Sequence, residues 1–373
     1  MSEKDFENIR PYFDSEVAKI TKGLAIAMDW VSMLSPLIGE DNAEEIAESM
    51  PHIENTAEFQ DELTFPFLEA LIEGTTSNVS VSFDNNDLDD FFSSPMLHLT
   101  NHKDIVLDPS LVNVARMGNG YSSTEVGIGD NLLSNKWVED LVRINKCFVV
   151  PRGGSAREKW MSSLLVASYI RHVVSNGNSV WLAQKEGRAK NGKDATSPAL
   201  IRMLISEGEK EAWEGLNVCP VSLSYEWDPC DAFKVRELLI RERDGEYTKA
   251  PGEDETSMAL GMTGNKGAVH LHFCKRIPWS EEEGERTDKH LASKVDDAIF
   301  RGYKVFPNQV LSAEKLGLDY SDLSVKVTQS DRDEFEGRLN SIVEFVGGDF
   351  SREEVERKWC EITVQPLLAK HKL

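Results

Sequence analysis

Apolar positions near the start of the chain fall at helical spacing. Ile9, Phe13, Val17, Ile20 and Leu24 recur every three or four residues, which predicts a helix with one buried stripe. A second helix fits Glu58 to Glu73, with Pro66 bending or interrupting it. The texture changes at residue 79. Val79-Ser-Val-Ser-Phe83 alternates with period two, as a half-buried strand does. Short apolar runs at Met96–Thr100, Val126–Ile128, Cys147–Val150, Ser179–Ala183, Asn217–Tyr225 and Ala268–Phe273 read as further strands. Helical patterns lie between them. In Ala156 to Ser175, Trp160, Leu164, Ala167, Ile170 and Val174 share one face. Strands alternating with helices predict an α/β fold, a mixed central sheet flanked by helices. The changes of texture divide the chain into an N-terminal helical section (1–78), an α/β domain (79–320) and a C-terminal helical section (321–373). In the last, Leu339, Ile342, Val343, Phe345 and Val346 predict a packed helix.

Composition narrows the function classes. The chain has 373 residues, and 41 Lys and Arg against 64 Asp and Glu give a net charge of −23. A chain this acidic is a poor fit to a nucleic acid or to a broad anionic surface. The five cysteines (Cys147, Cys219, Cys230, Cys274, Cys360) are far apart and odd in number, so they read as free thiols in a reducing compartment. The charged opening MSEKDFENIR does not resemble a signal peptide, and the most apolar run, Gly23 to Gly39, is broken by Asp29 and Pro36. A cytoplasmic protein is expected. The N-terminal helices leave weak peripheral contact with the inner face of a membrane open, with Trp30 and Met33 either facing lipid or packed in a core.

Four segments carry candidate chemistry. In Thr100-Asn-His-Lys-Asp-Ile-Val-Leu-Asp108-Pro109, His102 leaves a strand end with carboxylates two and six positions on. Imidazole suits proton transfer near neutral pH, and a carboxylate fixes its tautomer. Asp108 before Pro109 also fits a helix cap. The strand Cys147–Val150 ends in Pro151-Arg152-Gly-Gly154, a basic residue beside glycines that either clamps an anion or simply turns the chain. Gln184-Lys185-Glu186-Gly187-Arg188-Ala-Lys190 concentrates positive charge, which needs an internal carboxylate or an anionic ligand. Pro220 inside a strand implies an edge, a bulge or a position lining a cavity. The eight histidines are scattered, and His270 and His272 on one predicted strand lack an obvious companion, so no metal centre is expected.

Taken in this order, the four blocks resemble the glycerolipid acyltransferase superfamily, the glycerol-3-phosphate and lysophosphatidate acyltransferases, and within it a subgroup of soluble bacterial acyltransferases. The resemblance spans roughly residues 80 to 275. It implies His102 as general base with Asp108 as its partner, and substrate or phosphate contacts from Asn101, Asp104, Arg152, Lys185, Glu186, Gly187, Arg188 and Pro220. The family places four residues between His and Asp, whereas five separate His102 from Asp108, so Asp104 is the alternative partner. The third block carries its basic residue one place early, at Arg188.

The expected activity is transfer of a fatty acyl group from acyl-CoA or acyl carrier protein to a hydroxyl of glycerol-3-phosphate, lysophosphatidate or a related lipid acceptor. The thioester is a co-substrate and no other cofactor is expected. No acyl-enzyme is needed, so the cysteines are bystanders. The alternative is a non-catalytic module binding an acyl chain or acyl carrier protein. A hydrolase is disfavoured because no Gly-x-Ser-x-Gly elbow is present.

Overall fold

The computed structural model describes residues 3–84, 91–133, 135–206, 208–318, 320 and 324–371, with the backbone only at 254. Most of the expected acidic loop at 84–90, and the boundary expected at 321, lie outside the described residues.

The predicted strands form one seven-stranded sheet. They are β1 (Asn78–Phe83), β2 (Leu97–Thr100), β3 (Glu125–Gly129), β4 (Cys147–Val150), β5 (Val180–Ala183), β6 (Cys219–Tyr225) and β7 (Ala268–Phe273), in the order β1-β7-β6-β2-β5-β3-β4. All neighbours pair in parallel except β6 with β7. The fold is therefore α/β with a mixed central sheet, as the alternation of patterns predicts. Helices cover both faces, which is why the central strands read as unbroken apolar runs. On one face Leu97, Leu99, Phe148, Val180 and Leu182 pack on the helices Ala156–Ser175 and Thr287–Gly302. On the other, Met96, Val126, Trp181, Val221, Leu223 and Phe273 pack on the helix Leu107–Met117.

The N-terminal helices Asp14–Ala27, Trp30–Ile38 and Glu40–Ser49 gather around Val17, Leu24, Trp30, Leu34, Ile46 and Met50. Trp30 is buried and its Nε1 donates to the Leu24 carbonyl at 3.0 Å, so of the two readings for Trp30 the structure takes the core. A separate C-terminal cluster joins Val235, Leu239, Phe335, Leu339, Ile342 and Trp359. No helix among the described residues is long and apolar enough to cross a membrane.

Three local expectations differ. The stripe from Ile9 to Leu24 is not one helix. Pro11 disfavours helical geometry at Arg10, the helix starts at Asp14, and Phe13 stays 54% exposed under the Arg10 guanidinium. Trp160, placed on the buried face of Ala156–Ser175, is 60% exposed, and every residue from 156 to 161 is exposed with it. Pro220 is not on an edge, and it lines none of the cavities described below. It is the second residue of β6, paired with Leu99, and lies in the interior of the sheet where its carbonyl accepts from Cys274 N. A proline is tolerated there because its carbonyl, and with it the position of the missing N–H, faces β7, whose pairing with β6 begins only at Val221.

Candidate active site

Five strands, β6, β2, β5, β3 and β4, run in one direction, and the segments leaving their C-terminal ends converge. This is the edge at which open α/β sheets present their ligands. β2 ends at Thr100, and Asn101 extends its ladder with a side chain in place of backbone. Asn101 Nδ2 donates to the Leu223 carbonyl at 2.9 Å, and Oδ1 accepts from Leu223 N at 2.8 Å. Asn101 is fully buried, so its amide is committed to β6 and not to a ligand. Two hydrogen bonds without exposure to water hold the chain just before His102 in a fixed course.

His102 Nδ1 lies 2.9 Å from Asp108 Oδ2. The extra residue in the loop is absorbed by a tight turn folded over the same carboxylate: Oδ2 also accepts from Lys103 N at 2.7 Å and Asp104 N at 3.0 Å, while Oδ1 accepts from the Tyr225 hydroxyl at 2.9 Å. Asp108 is completely buried and receives four donors. It does not cap its own helix. Asp104 does so, accepting from Val106 N at 2.9 Å and Leu107 N at 2.8 Å. Of the two carboxylates open to His102, the geometry pairs it with Asp108. Burial, and then the neighbouring Asp108, push the Asp104 carboxyl above its usual range.

The backbone of His102 is fixed from the other side. His102 N donates to Asp194 Oδ2 at 3.1 Å, and the same buried carboxylate accepts from Gln184 and pairs with Lys185 at 3.0 Å. Lys185 is thereby drawn inward. Arg152 pairs with Glu186 at 2.9 Å, which joins the turn after β4 to the turn after β5. Gly187 has φ +71°, a backbone conformation that favours glycine, at the apex of that second turn. Lys190 pairs with the buried Glu237. Arg188 has no carboxylate within ion-pair distance among the described residues; its guanidinium donates to Ser257 Oγ at 3.4 Å and Cys230 Sγ at 3.6 Å.

Two cavities meet at His102. One is an open cleft of about 560 Å³ bordered by His102, Arg152, Gly187, Arg188, Lys190 and Lys234, with the carboxylates Glu237, Glu253 and Glu255 on its rim. The other, about 200 Å³, is largely apolar. Phe65, Leu68, Ile105, Val126, Ile128 and Trp181 line it, together with His102 and Arg152. The Trp181 ring meets the imidazole edge-on, with centroids 6.3 Å apart. Gln60 and Thr64, from a π-helical turn before Pro66, close part of its wall through hydrogen bonds to Asn145. Pro66 thus marks a distortion that shapes a cavity.

Of the residues singled out by sequence, His102, Arg152, Gly187 and Arg188 border the cleft. Asp108 and Glu186 support them, Lys185 borders the apolar cavity, and Asp104 lies beneath, in a smaller cavity with Lys103, Tyr225 and Asp228. Three residues of the site were not signalled. Tyr225, whose phenol is driven well above its usual pKa by burial and then by Asp108, belongs to a distant strand. Asp194 ends the turn Asn191-Gly-Lys-Asp194, a sequence that looks like an ordinary loop. Gly129 closes β3, and a Cβ there would lie 2.4 Å from Arg152 Nε and 2.5 Å from Asn131 Oδ1.

No protein-family model matches the chain, and no curated protein matches it in sequence. Among solved structures, the chain is similar to the 1-acyl-sn-glycerophosphate (LPA) acyltransferase PlsC from Thermotoga maritima. Sequence identity is 12% and the TM-score is 0.38, with 77% of this chain and 96% of that one covered. A likeness this distant does not bear on the chemistry.

Proposed function

We propose that the protein is an O-acyltransferase that moves a fatty acyl group from an acyl thioester to the hydroxyl of a lipid or glycerol-phosphate acceptor. One observation carries the reading: His102, held by the buried Asp108, sits where a largely apolar cavity meets a charged cleft that Arg152 and Arg188 border. A reaction that joins an apolar chain to a polar, anionic alcohol needs both surfaces to meet at one base. The order of the four sequence blocks supports the same reading.

In this mechanism Asp108 holds Nδ1 of His102 and leaves Nε2 for the substrate. The acceptor hydroxyl gives its proton to Nε2 as its oxygen attacks the thioester carbonyl. The new C–O ester bond forms and the C–S bond breaks. The imidazolium then returns its proton to the departing thiolate, so the imidazole is regenerated. The apolar cavity holds the start of the acyl chain, and Arg152 and Arg188 hold the anionic part of the acceptor. Such positioning supplies several kcal/mol of barrier reduction. Cys230 borders the cleft beside Arg188 and Cys147 borders the apolar cavity, and all five cysteines are buried free thiols.

The test is product analysis by mass spectrometry. Purified protein is incubated with a long-chain acyl-CoA or with acylated carrier protein, against glycerol-3-phosphate, lysophosphatidate, lysophospholipids and phosphate-free hydroxy lipids. The expected result is one new ester, lost in the His102→Ala protein. An intact protein that binds the acyl donor yet forms no ester with any acceptor would overturn the transferase in favour of an acyl-binding module.

A further inference from the structure

β7 alternates strictly. Val269, Leu271 and Phe273 enter the cluster beneath the helix Leu107–Met117, so His270 and His272 face the opposite side of the sheet. There they meet Ser80 and Ser82 of the neighbouring strand β1 in a continuous ladder. Ser80 Oγ lies 2.8 Å from His270 Nδ1, His270 Nε2 lies 2.9 Å from Ser82 Oγ, and Ser82 Oγ lies 2.8 Å from His272 Nδ1. His272 Nε2 then lies 3.0 Å from Asp84 Oδ1. Sequence inspection offered these histidines no companion; the carboxylate comes from the end of β1, 188 residues away. Beside them is a thiol, Cys274, just past the end of β7.

We propose that Asp84, His272 and Cys274 form a zinc-binding site. Their ligand atoms all lie within 4.8 Å of one another. Tetrahedral zinc requires separations of roughly 3.3–3.8 Å between its ligands, so closing the site takes side-chain rotations of about 1 Å. One imidazole, one thiolate and one carboxylate are a donor set that zinc accepts and that magnesium or calcium does not. Asp84 is exposed, His272 half-buried and Cys274 buried, which gives an entry path, a fourth position open to water, and a thiol shielded from bulk solvent. The carboxylate is already oriented, because its Oδ2 accepts from Lys275 N at 2.9 Å.

The ladder is the outer support that a ligating histidine needs. A metal-bound imidazole donates its other N–H to a fixed acceptor, and Ser82 Oγ holds that position on Nδ1. The ladder also accommodates the change of tautomer. Without metal, every link can point toward Asp84: Ser80 O–H to His270, His270 N–H to Ser82, Ser82 O–H to His272, His272 N–H to the carboxylate. When zinc takes His272 Nε2, the proton moves to Nδ1 and both hydroxyls rotate. Each link then points the other way, with Ser80 donating to the Val269 carbonyl 3.4 Å away. No donor is left unpaired in either state. One proton is released per zinc, from the Cys274 thiol. The metal would fasten the edge strand β1 to β7.

The test is cobalt(II) and zinc(II) titration of the reduced full-length protein. Cobalt is expected to bind at one equivalent with a thiolate charge-transfer band and the intense visible bands of tetrahedral geometry. Cys274→Ser should abolish the charge-transfer band while Cys219→Ser leaves it intact. His272→Gln should weaken zinc about tenfold or more, and Ser82→Ala, which removes only the outer support, by about tenfold. A second readout is melting temperature, expected to rise with zinc in wild type and not in His272→Gln. Absence of a thiolate band at stoichiometric cobalt, or a band that survives Cys274→Ser, would overturn the site. If Cys274→Ser does not fold, unchanged zinc affinity in His272→Gln overturns it equally.

Discussion

Replacing Asp108 by Asn isolates the charge of the carboxylate from its shape. The side chain is isosteric, and its oxygen can still accept from His102 Nδ1, Lys103 N and Asp104 N, all three of which converge on Oδ2. The new amide then faces the Tyr225 oxygen, which can accept in place of donating. The turn is expected to survive, so a large loss of activity would reflect electrostatics. In the transition state His102 carries a positive charge, and it lies against a side chain with no exposure while its own is 12% exposed. With charge centres about 4 Å apart and an effective dielectric of about 20, the lost attraction is about 4 kcal/mol. That corresponds to a rate reduction of about a thousandfold. The assay is ester formation under saturating thioester, with thermal unfolding in parallel. The expected pattern is kcat down about a thousandfold, KM for both substrates little changed, and only a small shift in melting temperature. Activity within tenfold of wild type, in a protein that remains folded, would refute the role given to the pair.

The other predictions address positioning and stability. Gly129→Ala forces Arg152 away from its place, since the added methyl would lie 2.4 Å from Nε; losing one charge-assisted contact of about 1.5–3 kcal/mol should raise KM for an anionic acceptor about ten- to a hundredfold, with kcat little affected. Arg188→Ala should raise that KM more than Lys190→Ala, because Lys190 is already paired with Glu237 whereas, among the described residues, Arg188 is held by the neutral partners Ser257 and Cys230; equal effects would refute the ranking. Burial lifts the Glu125 carboxyl, a partner of the Tyr169 hydroxyl, from 4.5 to about 7. The folded chain therefore keeps a proton that the unfolded chain releases, and stability is full in acid and declines as pH rises from 4.5 through about 7, by about 3 kcal/mol. Urea unfolding should show Glu125→Gln more stable than wild type at pH 8 by about that amount and equal to it near pH 4.

Strands were legible because each is a short apolar run set between polar turns, and β7 keeps its alternation to the residue. The reversal between β6 and β7 was not legible. The connection between them carries two helices, Asp231–Asp244 and Glu253–Thr263, and an apolar run does not say in which direction the next strand is laid. His102 and Arg152 stood out because each closes a strand and introduces a polar turn. Their supports did not. Tyr225 reaches Asp108 across 117 residues of sequence, and Asp194 reaches the His102 backbone across 92. Lys185 was readable as either a ligand contact or an internal pair, and only the position of Asp194 decides between them. Phe13 and Trp160 fit their periodic stripes, yet periodicity does not say where a helix starts or which of its turns are covered.

The alternation of β7 also separates the two polar constellations. Its apolar face belongs to the core that carries Leu107–Met117, and hence Asp108. Its Ser–His face lies under the end of the helix Thr287–Gly302, where a Cβ on Gly302 would come within 2.7 Å of the His272 ring. Two groups on opposite faces of one sheet share no hydrogen-bond partner, so their substitutions should add rather than couple. A chain carrying Asp108→Asn should keep the zinc affinity of wild type, and His272→Gln should keep its kcat. Coupling between the two would mean that β7 moves as a unit when either face is perturbed. That would make the edge of the sheet part of the catalytic machinery.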